Sequence, residues 1–152
     1  MQGALPQTRQ LPRADTPFTG RVAALWAAIV QDDAQLALSF FFPESAYLQV
    51  KDISNPSGDW KHRLFAAYER DIHRLHAHLG EASRAQLIEL AVPQERARWV
   101  EPGEEYNKIG YYRVFGSRLR YRDAAGAEQA FEVRSLISWR GDWYVVHLSA
   151  IK

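Results

Sequence analysis

Apolar side chains recur at helical spacing in the first part of the chain. We predict a helix over Thr16–Gln31, with Thr16 as its N-cap and Pro17 at the first helical position, where a missing N–H costs nothing. The acidic pair Asp32 and Asp33 interrupts this pattern and is suited to cap a second, short helix over residues 34–41. The apolar positions of the first helix are Phe18, Val22, Leu25, Trp26 and Ile29.

A longer helix is predicted in the middle of the chain. Before it, residues 46–51 alternate well enough to predict a strand, and residues 55–59 (Asn-Pro-Ser-Gly-Asp) are typical of a turn followed by a cap. The helix spans residues 60–79 and ends at Gly80, the residue type favoured just after a helix. Its apolar stripe consists of Phe65, Tyr68, Ile72, Leu75 and Leu79.

Strand patterns dominate the last third of the sequence. A strand is predicted over 85–92, and three segments rich in aromatic and β-branched residues predict strands over 109–121, 128–139 and 143–151. Turn-like residues 123–126 and 140–142 join the last three into a meander. Because helices come first and an antiparallel meander last, we expect one α+β domain over residues 17–152.

Composition narrows the classes of function. The content of 47% hydrophobic and 24% charged residues is typical of a globular domain and excludes disorder. The chain has no Cys, which excludes disulfides, thiolate metal sites and a Cys nucleophile. A net charge of +1 disfavours a nucleic-acid binder, and no apolar run approaches the roughly 18 residues of a membrane span. No phosphate-binding or serine-hydrolase motif is present, and we predict no cofactor.

The N-terminal residues 1–16 are predicted to form a flexible leader. They have neither the basic start nor the apolar core of a signal peptide. Met1 is the only methionine, which is compatible with a start codon added to a trimmed, exported protein. Export is therefore our expectation if an upstream signal was removed, and a cytoplasmic location is the alternative.

Three features of the sequence resemble the NTF2-like (SnoaL-like, cystatin-like cone) superfamily. The first is the segment 22–43, a helix with an acidic break followed by a short helix that ends in Phe-Phe-Phe-Pro. The second is the change from helices to sheet. The third is the closing hairpin over 136–147, with Gly141 in its turn and Trp143 just after it. The resemblance covers about residues 17–151 and extends to uncharacterised actinobacterial proteins, often exported.

This resemblance implies a cone in which a curved antiparallel sheet wraps around N-terminal helices and a long helix, leaving a pocket between them. The superfamily includes isomerases, dehydratases and cyclases, but also binding domains without catalysis, so the fold does not determine the function. Its sheet face often dimerises, which implies a homodimer. The catalytic pattern of its enzymes aligns with no residues of this chain, and no catalytic residue is carried over.

Two edges of the long helix carry candidate chemistry. Glu69, His73 and His76 share one side, and a carboxylate with two imidazoles can bind zinc. We favour a solvated face with a weak Glu69–His73 pair instead, since the spacing matches no metalloenzyme motif. Asp71 lies on the other edge together with Trp60. If that edge faces the pocket, burial would raise the pKa of Asp71 and make it a general base; pairing with an Arg is the favoured alternative.

Arginines alternate with aromatic residues over 111–122. Such a run can bind nucleic acid, but acidic residues on the next strand are expected to neutralise it. We favour an interpretation in which Arg113 and Arg134 point into a pocket and select an anionic ligand. The acidic, aromatic loop over 99–106 either rims that pocket or is a solvated connection.

The last hairpin embeds His147 in a strand of apolar residues. A two-residue turn would place His147 on the same face as Trp143 and Arg134, whereas a three-residue turn would bring Trp139 to that face, because one added residue changes the pairing. A histidine in this setting is more often hydrogen-bonded in the core than catalytic.

These observations predict a domain that binds a small ligand or another protein and lacks a recognisable catalytic set. Its ligand is expected to be hydrophobic or anionic. The candidate binding residues are Trp60, Tyr68, Arg113, Arg134, Trp143 and His147. The alternative is a cofactor-free enzyme, isomerase-like or dehydratase-like, acting on a small hydrophobic substrate. Asp71 or His147 would then be the base, and Tyr111 or Tyr112 the hydrogen-bond donor.

Overall fold

The computed structural model describes residues 7–148, which fold into helices packed against a strongly curled antiparallel sheet. The predicted α+β class is confirmed. Residues 1–6 of the predicted leader and 149–151 of the predicted last strand lie outside the described residues. The helices are α1 (Thr16–Gln31), α2 (Glu44–Val50), α3 (Pro56–Asp59) and α4 (Ala66–Leu79). The strands are β1 (Gln86–Ala91), β2 (Arg98–Val100), β3 (Tyr111–Arg122), β4 (Glu128–Trp139) and β5 (Asp142–His147).

The first helix has the predicted bounds but a different cap. Asp15, not Thr16, is the N-cap, and its Oδ1 accepts a hydrogen bond from the backbone N–H of Phe18 at 3.0 Å. A carboxylate satisfies the free N–H groups and also favours the positive end of the helix dipole. After α1, Asp33 caps a 3-10 helix over Ala34–Phe40, close to the predicted short helix.

The strand predicted over residues 46–51 is wrong, because this segment forms helix α2. Ala46, Tyr47 and Val50 are buried, whereas the intervening Leu48 is exposed, so the burial follows helical rather than alternating spacing. Glu44 in the first turn favours the helix through its dipole. A pattern of only six residues fits both the helical and the strand period, so tertiary packing determines which of the two structures forms.

The long helix begins earlier than predicted. Asn55 caps α3 by accepting from the N–H of Gly58, and the chain stays helical through a π-helical segment over Trp60–Phe65 into α4. Gly80, with a φ of 67°, ends it as predicted. The predicted stripe packs into the core, with Tyr68, Ile72 and Leu75 buried and the two end positions partly buried.

The sheet has the strand order β1-β3-β4-β5, and β2 pairs with another part of β3. All these pairs are antiparallel, and the meander of β3, β4 and β5 follows the prediction. A two-residue turn joins β4 to β5, since Trp139 pairs with Asp142. Arg140 and Gly141 in this turn have φ values of 53° and 88°, as the favoured hairpin turn with two positive φ angles requires.

A β-bulge changes which face of the sheet carries His147. Leu136 pairs with Val145, but Ser135 pairs with His147, so Val146 is an extra residue in β5. His147 therefore shares a face with Ser135 and not, as predicted for a two-residue turn, with Trp143 and Arg134. Arg113 of β3 occupies the same face, because it pairs with Ile137.

Residues 7–15, part of the predicted leader, lie against the sheet. The Gln7 side chain donates to the carbonyl oxygens of Gly110 and Ser138, and the Tyr112 hydroxyl donates to the carbonyl oxygen of Arg9. No helix within residues 7–148 is long and apolar enough to cross a bilayer.

Candidate functional site

A cavity of about 220 Å³ opens where α2, the long helix, the loop before β3 and the strands β3 and β5 meet. Most of its lining residues have charged or polar side chains, which is unusual for the space between a helix layer and a sheet. The charged and polar lining residues are Tyr47, Lys51, Asp59, Arg63, Glu105, Arg113 and His147. The apolar wall and rim consist of Ile53, Leu64, Tyr106 and Val146.

Asn107 holds the loop that forms one wall of the cavity. Its side chain is 2% exposed, and its Nδ2 donates to the carbonyl oxygens of Glu101 and Ile109 at 3.2 and 2.9 Å. Its Oδ1 accepts from the N–H of Glu105 at 2.9 Å. An isolated bridge pairs Asn107 with Lys51, at the end of α2. These bonds place Glu105 directly beside Lys51.

Glu105 is the centre of one hydrogen-bonded cluster. Its Oε1 accepts from the Tyr111 hydroxyl at 2.5 Å, and its Oε2 accepts from Nη1 of Arg113 at 3.1 Å. Lys51 Nζ donates to the Tyr111 hydroxyl oxygen at 3.2 Å and to the carbonyl oxygen of Glu105 at 3.0 Å. Burial raises the pKa of Tyr111 and lowers the pKa of Lys51. This cluster therefore holds a phenol and an ammonium away from bulk water.

A second cluster lies on the opposite wall around Asp59. The four-residue spacing on the helix lets Arg63 donate from Nε and Nη2 to the two Asp59 oxygens, at 2.6 and 2.7 Å. The Tyr47 hydroxyl donates to the same carboxylate. The hydrogen bond from Arg63 lowers the pKa of Asp59, and burial raises the pKa of Tyr47. Both carboxylates of the cavity are thus already engaged by residues of the protein.

His147 forms part of the floor. Burial is the main reason why its pKa falls to about 4, and the nearby guanidinium of Arg113 adds to the effect. The imidazole is therefore uncharged at neutral pH and able to accept a proton. With His147 neutral, the lining carries three cations, Lys51, Arg63 and Arg113, against two carboxylates.

Some predicted site residues meet at this cavity. Arg113 and His147 line it, and Tyr111 contacts it through Glu105 and Lys51. Arg134, predicted as the partner of Arg113, lies exposed on the other face of β4. A shift of one position along a strand moves a side chain to the opposite face, which explains why only one of the two arginines reaches the cavity.

The other predicted residues lie elsewhere. The Tyr68 hydroxyl donates to the carbonyl oxygen of Ala37 inside the core, and Trp143 is also buried. Trp60 lines a separate apolar groove together with Leu38, and its Nε1 donates to a backbone carbonyl. Asp71 on α4 is 6% exposed but does not line the cavity, and the Tyr112 hydroxyl bonds to the segment before α1.

The three metal candidates on α4 have separate surroundings. His73 Nδ1 bonds to Oδ2 of Asp32 at 2.7 Å, and His76 Nδ1 bonds to the carbonyl oxygen of Ile29 at 3.0 Å. Glu69 is exposed. Across residues 7–148 no group of three His, Cys, Asp or Glu side chains is placed to hold a metal ion.

Sequence reasoning missed Tyr47, Lys51, Asp59 and Arg63. The four-residue spacing of Asp59 and Arg63 was a usable signal, because such a pair faces one side of any helix. Tyr47 and Lys51 were hidden by the wrong strand prediction. Glu105 lies in the acidic, aromatic loop that the sequence suggested as a pocket rim, although nothing singled out this carboxylate from its neighbours.

Comparison with known proteins identifies no relative of the chain: no family model, no curated protein and no solved structure matches it. Function must therefore be inferred from the cavity itself.

Proposed function

We propose that the protein binds a small anionic ligand in this cavity. The observation that carries the proposal is the charge of the lining, where three cations face two carboxylates that are both already hydrogen-bonded. Arg113 is mostly buried, and its Nε has no acceptor among the described residues. A buried guanidinium N–H without an acceptor favours a ligand oxygen at that position.

The size and rim of the cavity narrow the ligand class. A volume of about 220 Å³ is below the 300–1,000 Å³ typical of pockets for drug-sized molecules, which favours a compact ligand. Ile53 and Tyr106 offer apolar surface at the mouth. We therefore favour a small carboxylate or phosphate with a short apolar part over a large hydrophobic molecule.

Arg113 provides the test. Calorimetric titration with small carboxylates and phosphates, and with their uncharged amide or ester analogues, should show binding of the anions only. Arg113→Gln should weaken that binding by about tenfold or more, since a charged hydrogen bond contributes about 1.5–3 kcal/mol. Arg118→Gln is the matched control, because Arg118 lies exposed on the same strand, outside the cavity. Equal affinity for the neutral analogues, or an unchanged Arg113→Gln variant, would contradict the proposal.

A cofactor-free enzyme is the second candidate, and the position of His147 favours it. An uncharged imidazole on the floor of a cationic cavity can take a proton from a bound anion's neighbouring carbon or hydroxyl. NMR of candidate ligands incubated with the protein would reveal turnover. His147→Gln should then abolish product formation while leaving affinity within a few-fold, whereas a pure binding protein shows no product with either form.

We also propose that the fold is an NTF2-like cone and that the protein is a homodimer. The helices packed on a curled sheet, with a cavity between them, support the first statement. The second depends on the resemblance, which also suggests export. Sedimentation at micromolar concentration tests the dimer, and a single monomeric species would contradict it.

A further inference from the structure

Lys51 has an unusual environment for a lysine. Its Nζ is half-buried in the cavity wall and donates to two uncharged oxygens, the carbonyl of Glu105 and the phenol of Tyr111. The ion pairs found among residues 7–148 do not include Lys51. By contrast, Lys61 is largely exposed and lies 3.9 Å from a carboxylate of Glu44. Lys51 is thus a desolvated amine without a direct counter-ion.

The surroundings of Lys51 make its ammonium easier to deprotonate than that of an exposed lysine. Arg113 and Arg63 lie in the same cavity and repel an ammonium, and the carboxylate of Glu105, which also binds Tyr111 and Arg113, attracts it. Burial lowers the pKa of Lys51 further. A desolvated lysine beside another cation is the setting in which proteins use the amine as a nucleophile toward carbonyl carbons.

A hydrogen-bonded path connects this amine to an acid–base group. Lys51 Nζ donates to the Tyr111 oxygen at 3.2 Å, and the Tyr111 hydroxyl donates to Glu105 Oε1 at 2.5 Å. A proton leaving Lys51 can therefore pass through the phenol to the carboxylate without charge accumulating on Tyr111. Burial raises the pKa of Tyr111, which keeps the phenol protonated in this role.

We propose that Lys51 forms an imine with a small 2-oxo acid whose carboxylate binds to Arg113. The inference rests on the anion site proposed above and adds a carbonyl group to the ligand. Both cations contact the same residue, Lys51 through the main-chain oxygen of Glu105 and Arg113 through its carboxylate. Because Lys51 and Arg113 both bind Glu105 and line the same small cavity, we expect one small ligand to reach both, and a 2-oxo acid has its carbonyl carbon bonded directly to its carboxylate.

The step balances without any further reactant. The Lys51 ammonium first transfers a proton through Tyr111 to Glu105. The free amine attacks the carbonyl carbon, the C=O π electrons move to oxygen, and that oxygen takes a proton from the new N–H₂⁺ group to give a carbinolamine. Glu105 then returns its proton through Tyr111 to the carbinolamine hydroxyl, which leaves as water. The products are a protonated imine, one water and the original carboxylate.

Reductive trapping tests this chemistry. The full-length protein is incubated with pyruvate and cyanoborohydride at pH 7, digested, and the adduct on each of the four lysines (Lys51, Lys61, Lys108 and Lys152) is quantified by mass spectrometry. Lys51 should be modified about tenfold faster than the other three, because burial lowers its pKa and raises its fraction of free amine. Equal modification of all four would overturn the proposal.

Variants of the protein distinguish imine formation at Lys51 from simple binding of an anion in the cavity. Lys51→Met should remove the adduct and Lys61→Met should not, and Tyr111→Phe should slow trapping while circular dichroism shows a folded protein. If pyruvate binds in the calorimeter but no Lys51 adduct forms, the imine is wrong and the anion site stands. If acetaldehyde labels Lys51 as well as pyruvate does and Arg113→Gln changes neither rate, both the anion site and the 2-oxo acid are wrong.

Discussion

On one face of the sheet, the two ends of the β3–β4 hairpin differ: one end is packed with apolar side chains and the other carries a polar cluster. At one end Leu119, Tyr121 and Phe131 are buried, and the rings of Tyr121 and Phe131 contact Trp26 of α1 and His78 of α4. At the other end the equivalent positions hold the polar cluster around Glu105. The segments that cover each end explain the difference. Helices α1 and α4 cover the apolar end, whereas α2, the start of the long helix and a loop cover the polar end and bring their own charges.

This comparison predicts that stability is concentrated at the apolar end. Ile72 on α4 is fully buried, so Ile72→Ala should lower the free energy of unfolding by about 2–5 kcal/mol through lost burial and the cavity left behind. Urea denaturation measures this change in the free energy of unfolding. Arg113→Gln, at the polar end, should cost less, about 1–2 kcal/mol, because Glu105 keeps its hydrogen bond from the Tyr111 hydroxyl. Similar losses of stability in Ile72→Ala and Arg113→Gln would contradict the prediction that stability is concentrated at the apolar end.

The apolar end was largely predictable from sequence, because its signals are local and repeated. The stripe containing Tyr68 and Ile72 repeats over about four turns, and strand β4 has the predicted bounds, Glu128–Trp139. A pattern of this length specifies which face of the helix is buried, and therefore which of its residues pack in the core. The two-residue turn before β5 was one of two open alternatives, and only the structure decides between them.

The polar end was predictable only in part. Arg113 was singled out as one of the arginines that alternate with aromatic residues over 111–122, and His147 because it is embedded in an apolar strand. Lys51 and Glu105 were not, since they are 54 positions apart and only the bridge at Asn107 brings them together. The bulge at Val146, which places His147 beside Arg113, leaves no mark in the sequence, because a single extra residue fits the same apolar pattern.

Asn107 should be the largest single contributor to order at the polar end. Asn107→Ala removes the side-chain partner of three partly buried hydrogen bonds to the backbone of Glu101, Glu105 and Ile109, and should cost about 1–3 kcal/mol. It should also weaken ligand binding, since the loop that carries Glu105 loses its anchor. Asp15→Ala is the control, because removing the α1 cap should cost about 1 kcal/mol and leave the affinity unchanged. Unchanged affinity in Asn107→Ala would mean that other contacts place the loop.

His147 makes the polar end sensitive to pH in a defined window. Its pKa is about 4 in the folded protein, below the ordinary 6.5 of an imidazole, so the unfolded chain binds more protons between these limits. Stability should therefore fall as the pH drops from 7 to 5, by about 1–2 kcal/mol once solvent screening at this partly exposed residue is allowed for. His147→Gln should flatten that part of the profile. Carboxyls with lowered pKa, such as Asp59, lose their contribution only at lower pH.

His62→Gln is the matched control for this profile, because His62 is exposed on the long helix outside the cavity. It should keep the wild-type dependence between pH 5 and 7. A His147→Gln variant whose denaturation midpoints still fall like those of the wild type would assign the effect to another group.

The smallest expected effect is a local one at the polar end, the backbone strain at Tyr106. It lies at the cavity mouth with a φ of 56° and a side chain 76% exposed, so it has a strained backbone and little packing to compensate for it. Tyr106→Gly should be more stable than Tyr106→Ala by about 1 kcal/mol, because both lack the ring and only Gly tolerates this φ freely. If both variants also bind the anion more weakly than the wild type, the ring contacts the ligand, and the strain is then retained for binding. Equal stability of the two variants would show instead that the backbone relaxes when the ring is removed, so that the ring itself imposes the positive φ.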